Sequence, residues 1–202
     1  MAVLTVQPLE ERARLVRRAR LLAGGGIVWH IVEFAIALGA GIAAGSIALI
    51  AFGADSVIEA AAGAIVLWRW RGLAERRAQQ LIAASFFLLA AYVTAAALLT
   101  LVRGDHAQTS WVGIALAAVT VTAMPLLARA KRRVGSELGS SATVKEGAQN
   151  MVCAYLSVAL LAGLLANALL GWWWADPAAA LVIAGVALHE GRETWKGEDC
   201  CD

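Results

Sequence analysis

Six apolar runs, separated by short polar breaks, constrain this chain more than any other feature of its sequence. They fall at about 21–44, 46–68, 81–102, 111–128, 148–171 and 174–189. Each is close to the about 17–25 residues that a bilayer-spanning helix needs. Inside hydrocarbon every backbone N–H and C=O must find its partner within the protein, which leaves helices or closed barrels. Runs of this length predict helices. Composition agrees: 60% of the residues are hydrophobic and 16% charged, against about 25% charged in a soluble domain. The expected fold is an all-α integral membrane protein, a six-helix transmembrane bundle. It divides into a basic segment over 1–20, the membrane domain over 21–191 and a short tail over 192–202.

Orientation follows from where Lys and Arg flank the runs. Arg12, Arg14, Arg17, Arg18 and Arg20 precede the first run; Arg69, Arg71, Arg76 and Arg77 follow the second. Arg129, Lys131, Arg132, Arg133 and Lys145 lie between the fourth and fifth. The alternate breaks hold only Gly45, the stretch RGDHAQTS and the stretch GWWWADP. Both termini are therefore expected in the cytoplasm, and the plasma membrane is the expected location. The first twenty residues lack the short apolar core of a cleavable signal peptide, so the first span is expected to insert uncut. Trp172, Trp173 and Trp174 fit an aromatic belt at the outer interface, and Trp68 and Trp70 one at the inner. The basic residues flank spans and form no separate basic domain, which argues against nucleic-acid binding. Three cysteines, two of them adjacent at the tail, do not make a secreted disulfide framework.

A few polar groups within the runs carry the functional information. The second run holds Asp55 and Glu59. A charged residue at membrane depth costs roughly 2.5–3.5 kcal/mol on insertion scales. Spacing of i, i+4 sets the two on one helical face, about 5–6 Å apart at Cβ. Like charges that close repel unless a cation lies between them or one is protonated. In the fifth run Glu146, Gln149, Asn150 and Cys153 form one polar stripe at i, i+3, i+4 and i+7. Two readings stand for the stripe: metal donors, or a hydrogen-bonded seam between helices. His30 and Glu33 share a face of the first run. They read as an access ligand pair, a proton relay, or a structural ion pair. Asn167 and Tyr92 are expected to pack with a local hydrogen bond. Asp176, just before Pro177, reads as an acidic N-cap. His106 with Asp105, and His189 with Glu190, read as solvated. Cys200 and Cys201 beside the tail carboxylates read as a soft-metal pair or a redox-sensitive or inert tail.

These residues resemble a known family. The stretch GSIALIAFGADSVIEA is similar to the second span of the cation diffusion facilitators, with Ser46, Ala48 and Leu49 in the lead. That match sets Asp55 and Glu59 at the two ligand positions. With Ser157 aligned to the family serine of the fifth span, Cys153 takes the aspartate position, Gln149 the histidine position and Glu146 the upstream acid. The stretch WWADPAAALVIAGVALHEG resembles the family's sixth span. The resemblance covers about 21–197 and departs at the Gln149/Cys153 pair and in having no counterpart of the family's cytoplasmic C-terminal domain.

The resemblance implies a secondary transporter that exports a divalent transition-metal cation, in exchange for protons, through a midplane site on the second and fifth spans. Asp55, Glu59, Gln149 and Cys153 are the expected metal ligands. Glu33, Glu146, Asn150 and His30 are the expected surrounding or proton-relay groups. A thiolate among the donors favours zinc, with manganese, iron or cobalt as alternatives. The partners are the metal cation, the proton and the lipid bilayer, and the resemblance implies a homodimer. No organic cofactor is expected and no enzymatic activity, since no nucleophile–base pair stands out. The competing expectation is a non-transporting, metal-responsive membrane interaction or sensor protein on the same fold.

Overall fold

A computed structural model describes residues 9–68 and 75–196. It is all-helical, with no strand among the described residues: α1 (Leu9–Ala44), α2 (Ile47–Trp68), α3 (Glu75–Arg103), α4 (Trp111–Leu138), α5 (Ser141–Leu170) and α6 (Ala175–Lys196). Each apolar run has become one helix. Among the described residues, α1, α3, α4 and α5 are long and apolar enough to cross a membrane. Trp70 and the tail cysteines Cys200 and Cys201 lie outside the described residues.

Five of the helices outrun their apolar segments, chiefly at the basic end of the bundle. α1 starts twelve residues before its run, and α4 continues ten residues past 128. Arg129, Lys131, Arg132 and Arg133, expected in a loop, are therefore on α4. A helix leaving the bilayer keeps its own backbone bonds, and Lys and Arg are good helix formers. Surface pairs such as Arg133 Nε to Glu137 Oε1 at 3.1 Å add a little. Only Gly139 and Ser140 separate α4 from α5. Gly139 ends α4 at φ 64°, a left-handed conformation that costs a glycine nothing. Ser140 then caps α5 by accepting from Thr143 N–H.

The opposite end is tied by one carboxylate. Asp176, in the first turn of α6, accepts from Ser46 Oγ–H and from the backbone N–H of Ile47 at 3.0 Å and Ala48 at 3.4 Å. The expected N-cap role is thus corrected in its target. Asp176 caps the start of α2, whose first N–H groups have no helical partner of their own, and so pins α6 to the α1–α2 turn. Asn167 Nδ2 donates to Ala107 O at 2.9 Å, joining α5 to the α3–α4 connection. His106 stacks on Trp173 with ring centroids 5.2 Å apart, and Trp172 stacks on Trp174.

α4 packs most extensively on α5, α1 on α2, and α3 on α6. α2 touches α1, α3, α5 and α6, so it is the centre of the bundle. Small residues permit the close approaches. A Cβ at Gly147 would come 2.9 Å from Ala128 O across α4/α5, and one at Gly163 would meet Ala175 O at 3.0 Å. Leu49, Phe52, Leu160 and Ile183 fill the interior, while Leu21, Leu88, Val102, Leu126 and Leu169 point outward. Large aliphatic side chains on the outer surface of a bundle are what a lipid surround asks for. Tyr92, expected to pack with a local hydrogen bond, is on this outer surface too.

Candidate metal centre

Glu33 lies eleven residues before the end of α1, and Glu59 twelve after the start of α2. The single Gly45–Ser46 turn makes these helices antiparallel neighbours, so the two carboxylates stand at one level. At 1.5 Å per residue that level is roughly 18 Å along α2, about half of a hydrocarbon core of about 30 Å. His30 precedes Glu33 by three residues and shares its face. α5 brings Cys153 to the same point. One donor atom from each of His30, Glu33, Glu59 and Cys153 lies within 4.8 Å of all the others, and all four residues are buried.

The imidazole is at the centre of the group. His30 Nδ1 is 3.3 Å from Glu33 Oε2 and 3.2 Å from Glu59 Oε2. Glu33 is completely buried and held from three sides: Trp29 Nε1–H donates to Oε1 at 3.3 Å, Thr120 Oγ1–H also to Oε1, and Ser56 Oγ–H to Oε2 at 3.0 Å. Glu59 differs. Both of its carboxylate oxygens are buried without a hydrogen-bond partner, although the Cys153 thiol and Gln149 amide approach it. A buried carboxylate without donors is costly. Asn150 Nδ2 lies 3.5 Å from His30 Nε2 and 3.2 Å from Met124 Sδ, and its Oδ1 has no hydrogen-bond partner.

Two of the four expected ligands, Glu59 and Cys153, are in this group, and so are His30 and Glu33, which were expected around it. Asp55 is buried one turn before Glu59 on α2, within electrostatic reach of Glu33, Glu59 and Glu190, but outside the four-residue group. Gln149 is beside Glu59. Glu146 is engaged elsewhere: Lys131 Nζ–H donates to its Oε1 at 2.7 Å. Lys131, only 2% exposed, was hidden in a basic run. The signal that finds it is the buried face of α4, Gly113, Leu116, Ala117, Thr120, Met124, Ala128, Lys131, which keeps helical spacing past the end of the apolar segment. Ser56 and Thr120 were also missed; single hydroxyls in an apolar run carry no signal until the facing carboxylate is known.

The group offers a nitrogen, carboxylate oxygens and a thiol sulfur within a few ångströms, behind helices that exclude water. Such a donor set suits a divalent transition metal better than magnesium or calcium, which take oxygen donors.

Comparison with known proteins agrees with this chemistry. No curated protein sequence matches the chain. The cation efflux transmembrane domain matches residues 72–196, which span α3 to α6 and more than half of the sequence; α1 and α2, with His30, Glu33, Asp55 and Glu59, precede the match. The members of that family are transporters of metal cations, and the domain is a membrane bundle, as the six helices are. This chain belongs to the cation efflux family, as an integral, multi-pass membrane protein.

Proposed function

We propose that the chain is a secondary transporter exporting a divalent transition-metal cation, zinc in the first place, from the cytoplasm in exchange for protons. The observation that carries the reading is Glu59, a buried carboxylate whose oxygens complete no well-formed hydrogen bond although His30 Nδ1 lies 3.2 Å from Oε2 and the Cys153 thiol and Gln149 amide approach it. A cation relieves that carboxylate directly; a proton does so in its absence. This alternation is the coupling an exchanger needs: metal arrival displaces protons, and proton return on the far side helps to release the metal. Asp55 and Glu59 from α2, with Gln149 and Cys153 from α5, are the proposed midplane site. Asn150, His30 and Glu33 surround it or relay protons, while Glu146, paired with Lys131, stands apart. Rocking of helices about a fixed site exposes it to each side in turn. The proposed setting is the plasma membrane, with both termini cytoplasmic and two copies forming a homodimer.

The test is zinc uptake into sealed proteoliposomes under an imposed pH gradient, comparing the parent with Asp55→Ala. Gradient-dependent flux lost in a variant that still inserts and folds supports both exchange and site. Flux that survives Asp55→Ala removes that residue from the pathway. Zinc binding without flux in the parent favours the metal-responsive interaction or sensor protein.

A further inference from the structure

The metal site described by α2 and α5 alone leaves two facts without a role. Asp55 is outside the four-residue donor group, and two residues of α1 are inside it. We propose that His30 and Glu33 bind the cation directly, so that α1, α2 and α5 jointly form one four-donor site of nitrogen, two oxygens and sulfur. The proposal rests on the transport reading above and narrows its substrate to cations that accept tetrahedral N/O/S ligation, of which zinc is the type.

The two separations from the imidazole are those of ligands sharing an ion, and the whole group lies within 4.8 Å. With metal–ligand bonds of about 2.0–2.1 Å, tetrahedral donors are about 3.3–3.4 Å apart. His30 Nδ1 stands 3.3 Å from Glu33 Oε2 and 3.2 Å from Glu59 Oε2. A single imidazole N–H directs its proton along one line, so it serves one of two carboxylates well. Glu59 accordingly has no hydrogen bond although it is as near as Glu33. Charge points the same way. Two carboxylates face one imidazole, and a divalent ion offsets both of them where a single proton offsets one.

The surroundings are built to orient these donors. Trp29, Ser56 and Thr120, from three helices, hold Glu33 with Oε2 turned to the imidazole. Metal-bound carboxylates and imidazoles are held by just this kind of outer partner. On the far side of the ring, Asn150 faces Nε2. An Asn amide can present either end. With its oxygen toward the ring, Oδ1 accepts from Nε2–H, the unpaired amide oxygen is satisfied, and Nδ1 keeps its lone pair for the metal. A purely structural His30–Glu33 pair explains none of this second set.

Zinc X-ray absorption on the full-length protein in detergent tests the assignment. The parent, His30→Asn, Glu33→Gln and Glu59→Gln are each loaded with zinc alone, with a solubility and thermal-unfolding check on every variant. The expected parent spectrum contains one sulfur, lighter donors, and the outer-shell scattering of one imidazole. That imidazole signal should vanish in His30→Asn, and zinc affinity should fall at least about tenfold in both α1 variants. Glu33→Gln keeps the side-chain shape, so it reports even where His30→Asn fails to fold. Sulfur without imidazole, and full affinity in Glu33→Gln, would overturn the α1 assignment while leaving an α2/α5 site standing. Zinc affinity unchanged in Glu59→Gln would overturn the transport site itself.

Discussion

Two buried charged assemblies lie in the same half-dozen helices, and they are opposites. At the basic end, Lys131 and Glu146 bridge α4 and α5 at 2.7 Å, one cation to one anion, with Gly26 of α1 closely against the ammonium. Deeper in the bundle, two carboxylates and a thiol gather round one imidazole, and both Glu59 oxygens go without a hydrogen bond. The first assembly is complete. The second, on the proposed reading, is completed by a cation. Asp176 extends the lesson: it is as buried as Glu59, yet a hydroxyl and two backbone N–H groups satisfy it. Burial of an acid in a membrane bundle is therefore weak evidence of function by itself. What separates a cation site from a structural pair is whether the protein supplies the compensating donors.

That contrast can be broken experimentally in four places. The largest effect is expected at the complete pair. Lys131→Met leaves Glu146, 13% exposed at its side chain, without its cation, which should lower stability in detergent by about 3 kcal/mol, the low end for breaking a buried pair. The double variant Lys131→Met/Glu146→Gln should recover most of that loss in the same thermal-unfolding measurement. A double variant as unstable as the single one would mean that the pair does more than balance itself. At the incomplete cluster the pattern should reverse. Glu59→Gln is expected to unfold no earlier than the parent while zinc binding by calorimetry weakens roughly a hundredfold, the upper range for perturbing a metal site from its outer shell.

Cys153→Ser should act more gently, replacing the soft donor by a hard one. Competition titrations should show zinc losing about tenfold relative to manganese, in the direction set by ligand softness. Unchanged selectivity would remove the thiol from the site. The smallest effect belongs to the satisfied acid at the other end. Ser46→Ala removes one of the three donors to Asp176 and should cost about 1 kcal/mol, the usual value of a capping side chain, with metal affinity unaltered.

Most of the architecture was legible because it depends on local rules. Apolar run length and the siting of Arg and Lys define six helices whatever the tertiary contacts. Helix ends were less legible, since the apolar signal stops at the bilayer while α4 continues to Leu138. The site was half legible for a related reason. Asp55 and Glu59 stand out as acids one turn apart, but which of them meets Cys153 depends on how α2 is rotated against α5. His30 and Glu33 were visible as a pair, yet their place in the cluster depends on the α1–α2 turn at Gly45. Lys131 was invisible as a buried residue because its neighbours 129–133 read as the basic break between two spans. Asp176 was read correctly as structural but assigned to its own helix; only the three-dimensional structure puts Ser46 of another turn beside it.

The most direct test of the central claim sets the two assemblies side by side in one assay. Zinc flux would be measured in sealed proteoliposomes for Glu59→Gln and for Lys131→Met/Glu146→Gln, at equal protein insertion. The expected result is flux abolished in Glu59→Gln and retained in the double variant, since only the incomplete cluster awaits a cation. Flux retained without the Glu59 carboxylate and lost without the Lys131–Glu146 pair would contradict the account and move the cation pathway to the basic end of the bundle.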